Sequence, residues 1–138
     1  MSDLNALAQR CYDQAAEKGF HENDADNNPA ERLALIASEV FEAFEDVRSG
    51  RPLDRNYYTI DGAEVERDNE TGTWKRVGGP PKYSGHVLPK PEGVPSELAD
   101  VLIRVLDLSV EWGVDIEAAV EEKLQYNRTR PAMHGKVF

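Results

Sequence analysis

Residues 97–112, ELADVLIRVLDLSVEW, restrict this chain more than any other stretch. Drawn as a helix at roughly 100° per residue, Val101, Leu102, Ile103, Val105, Leu106, Leu108 and Val110 cover most of its circumference. The polar groups Glu97, Asp100, Arg104, Asp107 and Glu111 are left in one strip roughly 80° wide, and only Ser109 breaks the pattern. A helix apolar on nearly every side belongs in the middle of an assembly. Its carboxylates therefore lie where an unpaired charge is expensive, and they need partners.

Three more helices can be placed around it. Ser2 is positioned to cap a first one that carries Leu4, Leu7, Cys11 and Ala15 on one face and ends at Gly19. Asn28, Pro29, Ala30 and Glu31 supply a cap, a proline at the first helical position and an early acid. The second helix they open runs through Leu33, Ile36, Val40, Phe41, Phe44 and Val47 and stops at Ser49–Gly50. Asp115 caps the last helix, which Pro131 stops. Between the second and third helices, residues 51–95 hold six of the eight prolines, and helical periodicity disappears. Residues 63–67 and 73–77, joined by the turn-rich 68–72, read as a β-hairpin, and GGPPKYSGHVLPKPEG reads as irregular loop. The expectation is an all-α fold: a single domain over 1–138 with four main helices and a loop and β-hairpin insertion at 51–95. The insertion brings few large aliphatics, so it is expected to shape or cover a pocket rather than build core.

Sixteen basic against 26 acidic side chains leave a formal charge of −10, which disfavours nucleic acid and anionic membrane surfaces as partners. No run approaches the roughly 18 apolar residues of a membrane span, and the amino terminus lacks a secretory pattern. Cys11 stands alone, which excludes a disulfide framework and a zinc spacing. A cytoplasmic protein is expected. The common phosphate-binding glycine loops and the hydrolase nucleophile elbow are absent.

The second helix carries its own acids, Glu39, Glu42, Glu45 and Asp46, several of them one turn apart and therefore mutually repulsive. Glu39 and Glu42 have the same spacing as Glu97 and Asp100 on the third helix. If the two helices pack with these pairs facing, four carboxylates surround one small volume, and a hard divalent cation is the natural way to neutralise it. The competing reading is a solvated acidic face, with Asp100 satisfied by Arg104 one turn on. Near the end of the chain Lys123, Arg128, Arg130 and Lys136, with Asn127 and His134 among them, read equally as phosphate donors or as complements to a helix dipole. Phe20, Tyr57, Tyr58, Trp74 and Tyr83 are aromatic candidates for base stacking that also serve as packing residues.

EVFE at 39–42, ELAD at 97–100 and KLQYNRTRPAMHGKVF at 123–138 together resemble the MazG-like all-α nucleoside triphosphate pyrophosphohydrolases. The resemblance covers roughly residues 2–50 and 95–138, and it departs from the family in the 51–95 segment that separates the two acidic pairs. It implies that Glu39, Glu42, Glu97 and Asp100 hold magnesium, with manganese as a substitute. It also implies that Glu39 or Glu42 orients the attacking water, and that Lys123, Asn127 and Arg130 contact the nucleotide. The activity it implies is cleavage between the α and β phosphates of a nucleoside triphosphate, by a homo-oligomer that is a dimer or a dimer of dimers. The alternatives are a phosphoribosyl-nucleotide pyrophosphatase on the same cluster and a non-enzymatic helical dimerisation module.

Overall fold

The computed structural model describes residues 3–22, 28–84 and 86–135. Among them are four helices, α1 (Leu4–Glu17), α2 (Pro29–Arg48), α3 (Val94–Glu111) and α4 (Ile116–Arg128), with a 3-10 turn at Ala132–Gly135. Between α2 and α3 lie β1 (Tyr57–Ile60), β2 (Ala63–Arg67), β3 (Trp74–Arg76), β4 (Lys82–Tyr83) and β5 (Lys90–Glu92). The strands form one antiparallel sheet in the order β4-β3-β2-β1-β5. With 54% helix and 14% strand among the described residues, the chain is mixed α/β, and the all-α expectation is overturned. The hairpin read at 63–77 is present as β2 and β3, but the supposed irregular loop contains β4 and β5 and a further strand precedes the hairpin.

Contacts group the chain into two units, Met1–Leu33 with Leu102–Phe138, and Ala34–Val101. The boundaries fall inside α2 and α3, so each helix contributes to both.

In the first unit, α1 and α4 cap each other. The backbone N–H of Leu4 donates to Oε1 of Glu117, that of Glu117 donates to Oδ1 of Asn5, and Nδ2 of Asn5 donates to Asp115. Each helix thus satisfies an orphan amide of the other. Ser2, expected as the first cap, lies outside the described residues; Asp3 fills that role by accepting from the Ala6 N–H. Asp115 accepts from Ala118 at 3.0 Å, as its place before an apolar helix indicates. Past the end of α1, His21 is buried against the polar strip of α3. Its Nε2 is 2.6 Å from Asp107 and its ring stacks on Tyr12 at 4.2 Å. Arg32 donates to Glu111 at 2.7 Å, so the two carboxylates at the far end of the strip have basic partners. Leu106 and Leu108 are buried, and the hydroxyl of buried Ser109 donates back to the Leu106 carbonyl, which removes the cost of burying it.

In the second unit, β1 and β2 are joined by Asp61 and Gly62, both with positive φ, and Ile60 pairs with Ala63. This is the two-residue turn that matches strand twist. Asp68 closes the next turn by accepting from the N–H groups of Glu70 and Thr71. β5 contains Pro91 and is an edge strand, where a missing N–H is tolerated. The register places Tyr58, Val65, Arg67, Trp74 and Pro91 on one face and Tyr57, Glu64, Lys90 and Glu92 on the other. Ile60, Val65 and Val94 are buried, so the insertion holds core of its own rather than only covering a pocket.

Candidate metal centre

Two of the acidic positions reach the site from α2, two from α3, and all four belong to the second unit. The first turn of α3 is fixed by the insertion. The side chain of Asn56 accepts from the Ser96 N–H at 3.0 Å, satisfying a helix-end donor one residue before Glu97. Gly93 precedes the helix with φ +114°, and a Cβ there would meet the Asn56 Cα at 3.3 Å and the Arg55 carbonyl at 3.4 Å. The helix start is therefore pressed onto the strand entrance, and only glycine fits the conformation without strain.

Carboxylate oxygens of Glu39, Glu97 and Asp100 lie within 4.8 Å of one another. Glu39 is 8% exposed. Two unit charges at such a separation repel by roughly 3 kcal/mol at an effective dielectric near 20, more than a helix terminus or one exposed ion pair offsets. Glu97 feels this crowding. Burial first, then a hydrogen bond with Glu42 and the charges of Glu42, Asp100 and Glu39, push its carboxyl up from 4.5 to about 7. Glu42 itself is exposed and stands against Glu97 rather than in the group of three.

Whether these residues suit a cation can be judged from the donor set. All are hard oxygen ligands, the type that magnesium and manganese take, and Oε2 of Glu97 is buried without a hydrogen-bond partner. A cavity of about 460 Å³ opens beside the group, lined by Glu42 and Glu97 together with Phe41, Tyr57 and Lys90. That volume lies in the range of small-molecule sites. A larger hollow of about 920 Å³ lies along Tyr58, Trp74 and Leu88 of the insertion, but none of the acidic group lines it.

Lys123, Asn127 and Arg130 sit on α4 and just beyond it, in the first unit. Lys123, Tyr126 and Asn127 follow the i, i+3, i+4 spacing of one helical face, and Arg130 lies two residues past the end of α4. Both cations lean on the Tyr126 ring, Lys123 at 5.2 Å and Arg130 at 5.9 Å, while Oδ1 of Asn127 is buried without a hydrogen-bond partner. Lys136 and the side chain of His134 lie outside the described residues. Among the aromatic candidates, Tyr57 lines the acidic cavity, with the Arg51 guanidinium 3.6 Å from its ring centroid. Sequence reasoning missed Phe41 as a lining residue, because an aromatic on an apolar helix reads as core. It also missed Lys90, hidden in a proline-rich stretch.

Among the described residues no helix is long and apolar enough to cross a membrane. Comparison with protein-family models, with curated proteins and with solved structures found no match to this chain.

Proposed function

We propose that this protein is a magnesium-dependent nucleoside triphosphate pyrophosphohydrolase, in which water and the α–β phosphoanhydride give a nucleoside monophosphate and pyrophosphate. The observation that carries the reading is the convergence of Glu39, Glu97 and Asp100 with a buried, unpartnered oxygen on Glu97. It is joined by the ordered resemblance of EVFE, ELAD and the closing KLQYNRTRPAMHGKVF to the MazG-like enzymes.

Glu39, Glu97 and Asp100 would hold the ion, with Glu42 beside them. When bound, magnesium supplies neutralising charge to the phosphate oxygens and acidifies water. Glu42, exposed and outside the converging three, would orient that water and accept its proton. The resemblance gives the nucleotide contacts to Lys123, Asn127 and Arg130. A homodimer belongs to the same proposal. Phe41 and Phe44 on α2 are 67% and 55% exposed, and Val40, Val47 and Leu98 are also exposed, an apolar surface that a second copy would cover.

A panel of nucleoside and deoxynucleoside triphosphates, assayed for pyrophosphate release in magnesium and in chelator, tests the reading. Magnesium-dependent release of pyrophosphate from at least one member is expected. Release of orthophosphate alone, or no turnover of any member, would refute it.

A further inference from the structure

We infer that Lys90 is a phosphate-binding residue of this site: the edge strand β5 delivers its ammonium to the acidic cavity, where it contacts the polyphosphate of the nucleotide. The nature of the ligand rests on the pyrophosphohydrolase reading; the placement of the lysine does not.

Thr59 pairs with Lys90 and Tyr57 with Glu92, so Tyr57, Lys90 and Glu92 share one face of the sheet, and all three line the cavity that Glu42 and Glu97 border. Glu45, Asp46 and Glu92 line it as well, which makes five carboxylates around a space meant to receive a polyanion. An ion held by Glu39, Glu97 and Asp100 accounts for the charge of one corner only. Lys90 is the cation among the lining residues. Its Nζ is 3.2 Å from Oε1 of Glu92, and Glu92 first, then the charges of Glu97 and Glu42, favour its ammonium form.

The pairing with Glu92 does not hold the lysine away from a ligand. The Lys90 side chain is 74% exposed, and exposed ion pairs have little net strength, whereas ammonium–phosphate hydrogen bonds are charge-assisted on both sides. A phosphate entering the cavity can therefore take Lys90 from Glu92. A second consequence follows from the same charges. In the ligand-free protein Lys90 opposes the binding of a free divalent ion nearby, so removing it should tighten magnesium binding while weakening polyphosphate binding. A lysine that only caps a sheet edge or pairs with Glu92 would do neither.

The test is calorimetry on the full chain with two probes, magnesium alone and magnesium tripolyphosphate. Wild type is compared with Lys90→Ala, Lys90→Arg and Lys82→Ala, the last removing the same charge from exposed β4. Expected for Lys90→Ala is roughly tenfold weaker tripolyphosphate binding, with Lys90→Arg within about threefold of wild type and Lys82→Ala unchanged. Magnesium alone should bind Lys90→Ala more tightly than wild type. Lys90→Ala matching Lys82→Ala with both probes, or wild type failing to bind tripolyphosphate, overturns the inference. Nucleotide turnover by Lys90→Ala at the wild-type KM would refute it while leaving the hydrolase standing. Lys90-dependent tripolyphosphate binding without hydrolysis of any nucleotide would do the reverse.

Discussion

Glu97→Gln should make the cost of gathering these carboxylates measurable. Glu97 titrates near 7 in the folded chain against 4.5 ordinarily, so between those values the folded state binds more protons than the unfolded one. Stability from this group is fully present below about 4.5 and is lost as pH rises through about 7. The gap is worth roughly 3 kcal/mol at full weight, and because Glu97 is only partly buried, screening reduces it to roughly 1–2 kcal/mol. For a chain of this size that is about 4–8 °C in melting temperature. In chelator, wild type should melt about that much lower at pH 8 than at pH 5, after subtraction of the Glu97→Gln profile, which lacks the titration. Asp115 and Asp68 do not confuse the window. Hydrogen bonds from Asn5 and from the Glu70 amide, respectively, hold their carboxyls below the usual range, so they titrate at lower pH. On the proposed reading magnesium takes the ionised form, so its stabilisation of wild type should be small at pH 5 and largest at pH 8, and nearly absent in Glu97→Gln. Parallel profiles for the two proteins in chelator, or equal magnesium stabilisation, would refute the reasoning.

On the proposed homodimer, wild type should scatter light as a dimer at micromolar concentration and Phe44→Glu as a monomer with its helical circular dichroism unchanged; equal masses for the two would refute a contact through this face. Arg32→Met removes the 2.7 Å partner of the Glu111 carboxylate, which is 11% exposed and has His21 Nδ1 at 4.0 Å, and should cost about 2–3 kcal/mol in urea titration. A loss below about 0.5 kcal/mol would mean that this network is not structural. Val65→Ala, at a position 4% exposed, should cost roughly 2 kcal/mol, whereas an insertion that merely covers a pocket would tolerate it.

Helix ends were legible because their signals are local. Asn28–Pro29, Gly50, Gly113 and Asp115 each act within a turn of their own position, and each stands at a helix boundary. The sheet was not, although one signal was in view: Asp61–Gly62 is a strong two-residue hairpin dipeptide, and it joins β1 to β2. β4 and β5 have two and three residues, too few for alternation to show, and Pro91 argues against a strand until its edge position is known. The acidic positions were visible because an i, i+3 spacing puts both members on one helical face. The division of labour among them was not. Glu42 stands aside from the converging three, which its i, i+3 spacing from Glu39 does not report, and Asn56 supports the start of α3 from 40 residues away.

The mutual capping of α1 and α4 bears on how this half of the molecule can come apart. At 14 and 13 residues, each helix is near the length at which an isolated helix is marginal in water. Neither helix end can fray privately: losing Asn5 strips an acceptor from α4, and losing Glu117 strips one from α1. The two helices therefore open as one hydrogen-exchange unit, and damage at residue 5 is felt at residue 117 across 112 positions of sequence.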